Sequence, residues 1–154
     1  MRLAFSNSLV VSTKFDAECA MLADLHYSRQ TVGSKQFMPP GRTIVIRDNE
    51  GLLVFGWLHQ QYRDDGQEGF NCCIFRNESN RLSSSVILEC EGIARDIWGM
   101  DRAFTYINPS KLRTLKCHGA EFCRWPPGRC FLEAGWKLLP DKSKGGLHLL
   151  EKFV

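Results

Sequence analysis

Phe70-Asn71-Cys72-Cys73-Ile74-Phe75-Arg76, the run Ser83 to Trp98, and Ala103-Phe104-Thr105-Tyr106-Ile107 decide the fold class. The first is short, apolar and rich in strand formers. In the second, Val86, Cys90, Ile93 and Ile97, joined by Ile87 and Ala94, recur at helical spacing and predict a helix from about Ser83 to Trp98. Ser83, Ser84 or Ser85 can cap its start. The third is a short strand ended by Asn108-Pro109.

Before this stretch, Thr43 to Arg47 and Leu52 to Leu58 read as strands around the turn Asp48-Asn49-Glu50-Gly51. With Phe70 to Arg76, entered from the polar loop Arg63 to Gly69, they make an antiparallel meander. Leu3 to Asn7 reads as a short edge strand. Asp16 to His26 reads as a helix, with Phe15, Cys19, Leu22 and Leu25 at helical spacing. Pro39-Pro40-Gly41 rules out regular structure over 33–41. After it, Gly128 to Gly135 reads as a short helix, and Trp136 to Leu139 and Leu147 to Glu151 as the last strands. The order β-α-β-β-β-α-β-α-β-β predicts an α/β (α+β) domain spanning 1–154, a mixed, mostly antiparallel sheet flanked by helices.

The chain has 154 residues, 44% hydrophobic and 24% charged, which suits one globular core and argues against disorder. No apolar run reaches the ~18 residues of a membrane span, and Leu9-Val10-Val11 is too short for a signal peptide. Seven cysteines, an odd count with an adjacent pair, speak for free thiols in a reducing cytoplasm. The net charge of +3 is unevenly spread. Residues 1–101 carry ten basic and thirteen acidic side chains, and residues 102–154 carry ten and four. Such a local basic stretch suits an anionic ligand, and equally a solvated basic surface.

The element order and the helix-Ala134-Gly135-Trp136-strand step resemble the GNAT superfamily of acyl-CoA-dependent acyltransferases. His26-Tyr27-Ser28-Arg29, Phe37 to Gly41, Gly66 to Gly69, Phe75 to Glu78, Tyr106 to Pro109 and Pro127 to Phe131 together resemble small phage-encoded GNAT-like proteins. The Mom DNA-modification protein of phage Mu is a more distant relative of that type. The resemblance implies a GNAT-like single domain, acetyl-CoA or another acyl donor, and an amine acceptor, plausibly an amino-modified base in phage DNA. In that case the protein works in the cytoplasm of the host cell. Two departures stand out. Arg76 to Ser84 lacks the glycines that GNAT enzymes usually carry before the helix, and Asn108 stands where those relatives tend to have Asp. The missing glycines keep open a Mom-like adenine modification by another donor. A GNAT-shaped nucleic-acid-binding module without catalysis is the third reading.

A pyrophosphate needs donors, which a loop and a helix N-terminus provide. Arg76, Arg81, Leu82, Ser83 and Ser84 are the candidate cofactor-binding residues, although the serines equally suit ordinary capping. Direct transfer to an amine needs a base and a proton donor for the leaving thiolate. Tyr106, beside Asn108, is the candidate acid, where the implied fold splays two strands apart; the alternative is a core tyrosine with a satisfied hydroxyl. His26 is a candidate base, since imidazole titrates near neutrality, or a partner of the helix dipole. Glu78 is the competing base, or a solvated loop acid.

On the acceptor side, Tyr27, Ser28, Arg29 and Asn77 are candidate contacts. Lys111, Arg113, Arg124 and Trp125, with Lys116, Phe122 and Arg129, resemble a stacking-plus-phosphate surface for single strands or flipped bases. A CoA adenine or a protein partner would suit it too. Cys117-His118, Cys123 and Cys130 match no common zinc spacing, so no metal is expected. Cys72 and Cys73 point to opposite faces, which places one in the core and leaves the other as a candidate cleft-facing thiol.

Overall fold

The computed structural model describes residues 9–25, 37–108, 128–142 and 145–154. Its elements are β1 (Val10–Ser12), α1 (Ala17–Ala23), β2 (Arg42–Arg47), β3 (Leu53–His59), β4 (Phe70–Asn77), α2 (Ser83–Trp98), β5 (Arg102–Ile107), α3 (Arg129–Glu133), β6 (Lys137–Lys142) and β7 (His148–Phe153). The class is α+β with mostly antiparallel strands, and the element order is the expected one. Among the described residues no helix is long and apolar enough to cross a membrane. The chain gathers into two compact units, residues 1–81 and 82–154.

In the first unit β1 to β4 pair antiparallel in chain order, the expected meander with an added edge strand. The β2–β3 turn is closed by Asp48, whose Oδ1 accepts hydrogen bonds from the Leu52 and Leu53 amides, and Gly51 supplies the positive φ of 75°. The β3–β4 register shifts at Gly56/Trp57, leaving Cys73 as the extra residue of a bulge. α1 covers one side of the meander through Cys19, Leu22 and Ala23, which cluster with Phe37, Met38, Val45, Val54, Leu58 and Ile74.

One expectation lies outside the described residues and another changes. The predicted strand over Leu3 to Asn7 lies outside the described residues, and the edge strand described is Val10–Ser12. α1 is shorter than the predicted Asp16–His26, with Asp16 as its N-cap. Phe15 precedes that cap and Leu25 follows the last turn, so both are exposed rather than on the buried stripe.

In the second unit β7 lies between β5 and β6, antiparallel to both. α2 matches its predicted bounds, and Gly99 (φ 65°) ends it in the left-handed conformation. Val86, Ile87, Cys90 and Ala94 are buried, whereas Ile97 is exposed, so the apolar stripe fades in the last turn. Glu91, 1% exposed, is held by Lys152 Nζ at 2.8 Å and Trp136 Nε1 at 3.1 Å. β6 runs past Leu139 to Lys142 despite Pro140. Its pairing with β7 shifts register there, and a strand paired on one side only tolerates a residue without an N–H.

Candidate functional site

The end of β4 is organised by its polar side chains. Arg76 Nη1 donates to the Leu25 carbonyl at 2.9 Å, and its Nη2 pairs with the Glu78 carboxylate. The guanidinium therefore ties the chain just before His26 to the loop that leaves β4. Asn77 then builds that loop. Its Nδ2 donates to the Arg81 carbonyl at 2.8 Å, and its Oδ1 accepts from the Ser79 amide at 3.0 Å and the Ser79 hydroxyl at 2.5 Å. Ser79 Oγ in turn accepts from the Arg81 amide at 3.2 Å. These bonds fix the backbone of the 77–81 segment without glycine. Asn77 and Arg76 are thus structural members of the loop, and Glu78 is engaged by Arg76 rather than standing as an isolated acid.

Leu82, not a serine, is the N-cap of α2, and it makes no side-chain cap hydrogen bond. The expected serine capping is corrected: Ser83, Ser84 and Ser85 occupy the first turn, because the extended cap conformation (φ −68°, ψ 124°) falls one residue earlier. No acidic residue sits in that turn. Ser84 is buried at 8% exposure, whereas Ser85 is exposed and Ser83 half-buried. Main-chain donors and the macrodipole favour an anion at such a start.

Tyr106 lies on β5 opposite Leu149, half-buried, with its ring edge-on to Phe104 at 6.2 Å between centroids. Strand alternation puts Phe104 and Tyr106 on one face, while Thr105 is buried on the other. Asn108 is half-buried just past the strand. One residue, Ile107, separates it from Tyr106, the spacing that returns a side chain to the same face.

The thiols are packed. Cys72 is 4% exposed, and Cys73 Sγ lies 3.4 Å from Met38 Sδ and 3.7 Å from the Gly56 carbonyl. Burial pushes the Cys73 thiol up to about 12, partly opposed by a hydrogen bond and the Arg63 charge. Burial raises Cys19 to about 12 as well, aided by Asp16. Thiols held protonated in this way are poor nucleophiles, so Cys73 is a packing residue like Cys72, and the candidate cleft-facing thiol is not found on this pair. Among the described residues no group of three or more His, Cys, Asp and Glu side chains can hold a metal ion.

His26, Tyr27, Ser28 and Arg29 lie outside the described residues, as do Lys111, Arg113, Arg124 and Trp125 with Cys117, His118 and Cys123. One residue escaped the sequence reasoning. Asn71, in the middle of an apolar strand, is 8% exposed, and its Oδ1 has no hydrogen-bond partner among the described residues. A polar residue at a buried strand position was the available signal. No protein-family model matches the chain, and no curated protein matches it at a significant level.

Proposed function

We propose that this chain is an acyl-CoA-dependent N-acyltransferase of the GNAT type, acting on an amine carried by a modified base in phage DNA. The observation that carries the reading is the start of α2: a helix whose cap residue supplies no side-chain bond, with no acid in its first turn, entered from a loop braced by Asn77 and Ser79. The element order and the Ala134-Gly135-Trp136 step after α3 agree with the same resemblance.

In this reading the first-turn amides, the Ser83 hydroxyl and the Arg81 guanidinium bind the donor pyrophosphate. Ser84 contributes its main chain, since its side chain is buried. Because Glu78 is engaged by Arg76, the base role falls to His26. His26 takes a proton from the acceptor ammonium, and the freed amine nitrogen attacks the thioester carbonyl carbon. The C–S bond breaks, the Tyr106 hydroxyl protonates the thiolate leaving as CoA, and the second proton lost by the nitrogen as it becomes an amide passes through water to restore the tyrosine. Asn108 sits beside Tyr106 as a neutral hydrogen-bonding group.

The test is mass spectrometry of nucleosides from amine-bearing DNA incubated with the protein and isotope-labelled acetyl-CoA. The expected result is a labelled acetyl group on the amino base, with the rate falling on the order of 10²-fold in Tyr106→Phe. Absence of label from every nucleoside overturns the reading. A different mass increment, seen with crude cell extract as donor source, replaces acetyl-CoA by another donor.

A further inference from the structure

We propose that Asn71 is a ligand-recognition residue, its buried carboxamide forming a subsite on β4 for a nucleobase edge that presents an N–H donor beside a lone pair. Its carbonyl oxygen is buried and has no hydrogen-bond partner among the described residues, although its side chain sits where an apolar one would pack at no polar cost. Such a group is retained where a ligand satisfies it. Asn71 pairs in register with Leu58, so it projects on the same side of the meander as Leu58 and Gly56.

On that side the strand surface has a notch. A Cβ at Gly56 would meet Met38 Sδ at 2.6 Å and Ile74 Cγ2 at 2.8 Å, so the Met38 thioether fills the space that glycine leaves open. Gly56 and Leu58 are two residues apart, which places the notch one pleat from Asn71. Met38 is an adaptable side chain with three rotatable bonds, carried on a segment that continues into Pro39-Pro40-Gly41 without regular structure. In this proposal Met38 is the side chain that yields to admit the base beside the carboxamide.

A carboxamide presents an acceptor next to a donor. Its complement is an N–H beside a lone pair, the edge that an exocyclic amine and the adjacent ring nitrogen provide, and that the N3–H and neighbouring carbonyl of thymine provide as well. Enzymes that act on a base hold it extruded in a buried pocket and read it through such bonds. An anion would be repelled by Oδ1, and a hydrocarbon would leave it unpaired. The choice of a base as ligand rests on the function proposed above; the orphaned carboxamide does not.

The experiment is an NMR titration of the full chain with deoxyadenosine, deoxycytidine and N3-methylthymidine, which has no base N–H, alongside thermal melts, for wild type, Asn71→Leu and Asn71→Ala. Wild type is expected to bind the two amino nucleosides about tenfold more tightly than N3-methylthymidine. Both variants lose that preference, and Asn71→Leu melts a few degrees higher, on the order of 3–6 °C, because an unpaired carbonyl has been removed. A preference that survives in Asn71→Ala overturns the proposal, as does an Asn71→Leu protein that melts lower. Acetyl-CoA titration of the same samples separates the two readings. Nucleoside discrimination through Asn71 without acetyl-CoA binding keeps this subsite and removes the transferase.

Discussion

At Asp16 one carboxylate serves several partners. It accepts from the Ser12 hydroxyl at 2.6 Å, the Glu18 and Cys19 amides at 3.0 and 3.1 Å, and the Arg47 guanidinium at 3.0 Å. Burial pushes its pKa up, but the Ser12, Cys19 and Arg47 hydrogen bonds and the Arg47 charge outweigh this and bring it to about 2, from 3.8. A carboxyl depressed on folding stabilises the protein above its unfolded value, and that contribution is lost as pH falls through the folded one. Asp16→Asn keeps the helix cap and removes the charge. Denaturant melts are expected to show wild type more stable at pH 6 by about 1–2 kcal/mol after allowance for solvent screening. The gap should close between about pH 4 and pH 2. A gap that persists unchanged at pH 2 would contradict the assignment.

At the scale of elements, α2 is tied to β7 through Glu91. Lys152 also donates to the Ala134 carbonyl at 2.8 Å, so one ammonium joins the helix to the turn after α3. Lys152→Met leaves the Glu91 carboxylate buried without its cation and is expected to cost about 3–5 kcal/mol in chemical denaturation. Glu91→Leu combined with Lys152→Met should recover most of that loss, whereas a double variant no more stable than the single would show that the pair is not the cause. The periodicities of 43–58, 70–76 and 83–98 made β2, β3, β4 and α2 legible, because each buries a continuous apolar face. The ends were less so. α1 has fewer than two turns, too short for Phe15 and Leu25 to test the phase of its stripe. The α2 cap fell on Leu82 because a cap is defined by backbone geometry, and three serines in a row do not reveal which precedes the first turn. Glu91 gave no sign of its partner, since a carboxylate on a helix reads as solvent-facing until the chain is folded. The bracing of 77–81 by Asn77 was invisible for the same reason.

Over the whole molecule, the proposed function asks for an anionic donor and an anionic acceptor, which the basic excess of residues 102–154 would suit. Of the candidate residues, the loop 76–81 is described in the first unit, and the start of α2, Tyr106 and Asn108 in the second. The reading stands or falls on whether the α2 start binds a CoA pyrophosphate. Calorimetric titration with acetyl-CoA of wild type, Arg81→Ala and Ser83→Pro tests this most directly. Proline suits the first helical position, and Leu82 already has the extended conformation that must precede it, so Ser83→Pro removes a donor while the helix persists. The account predicts saturable binding by wild type, about tenfold weaker in each variant. Absence of saturable binding at millimolar acetyl-CoA, or equal affinity in all three proteins, would contradict it.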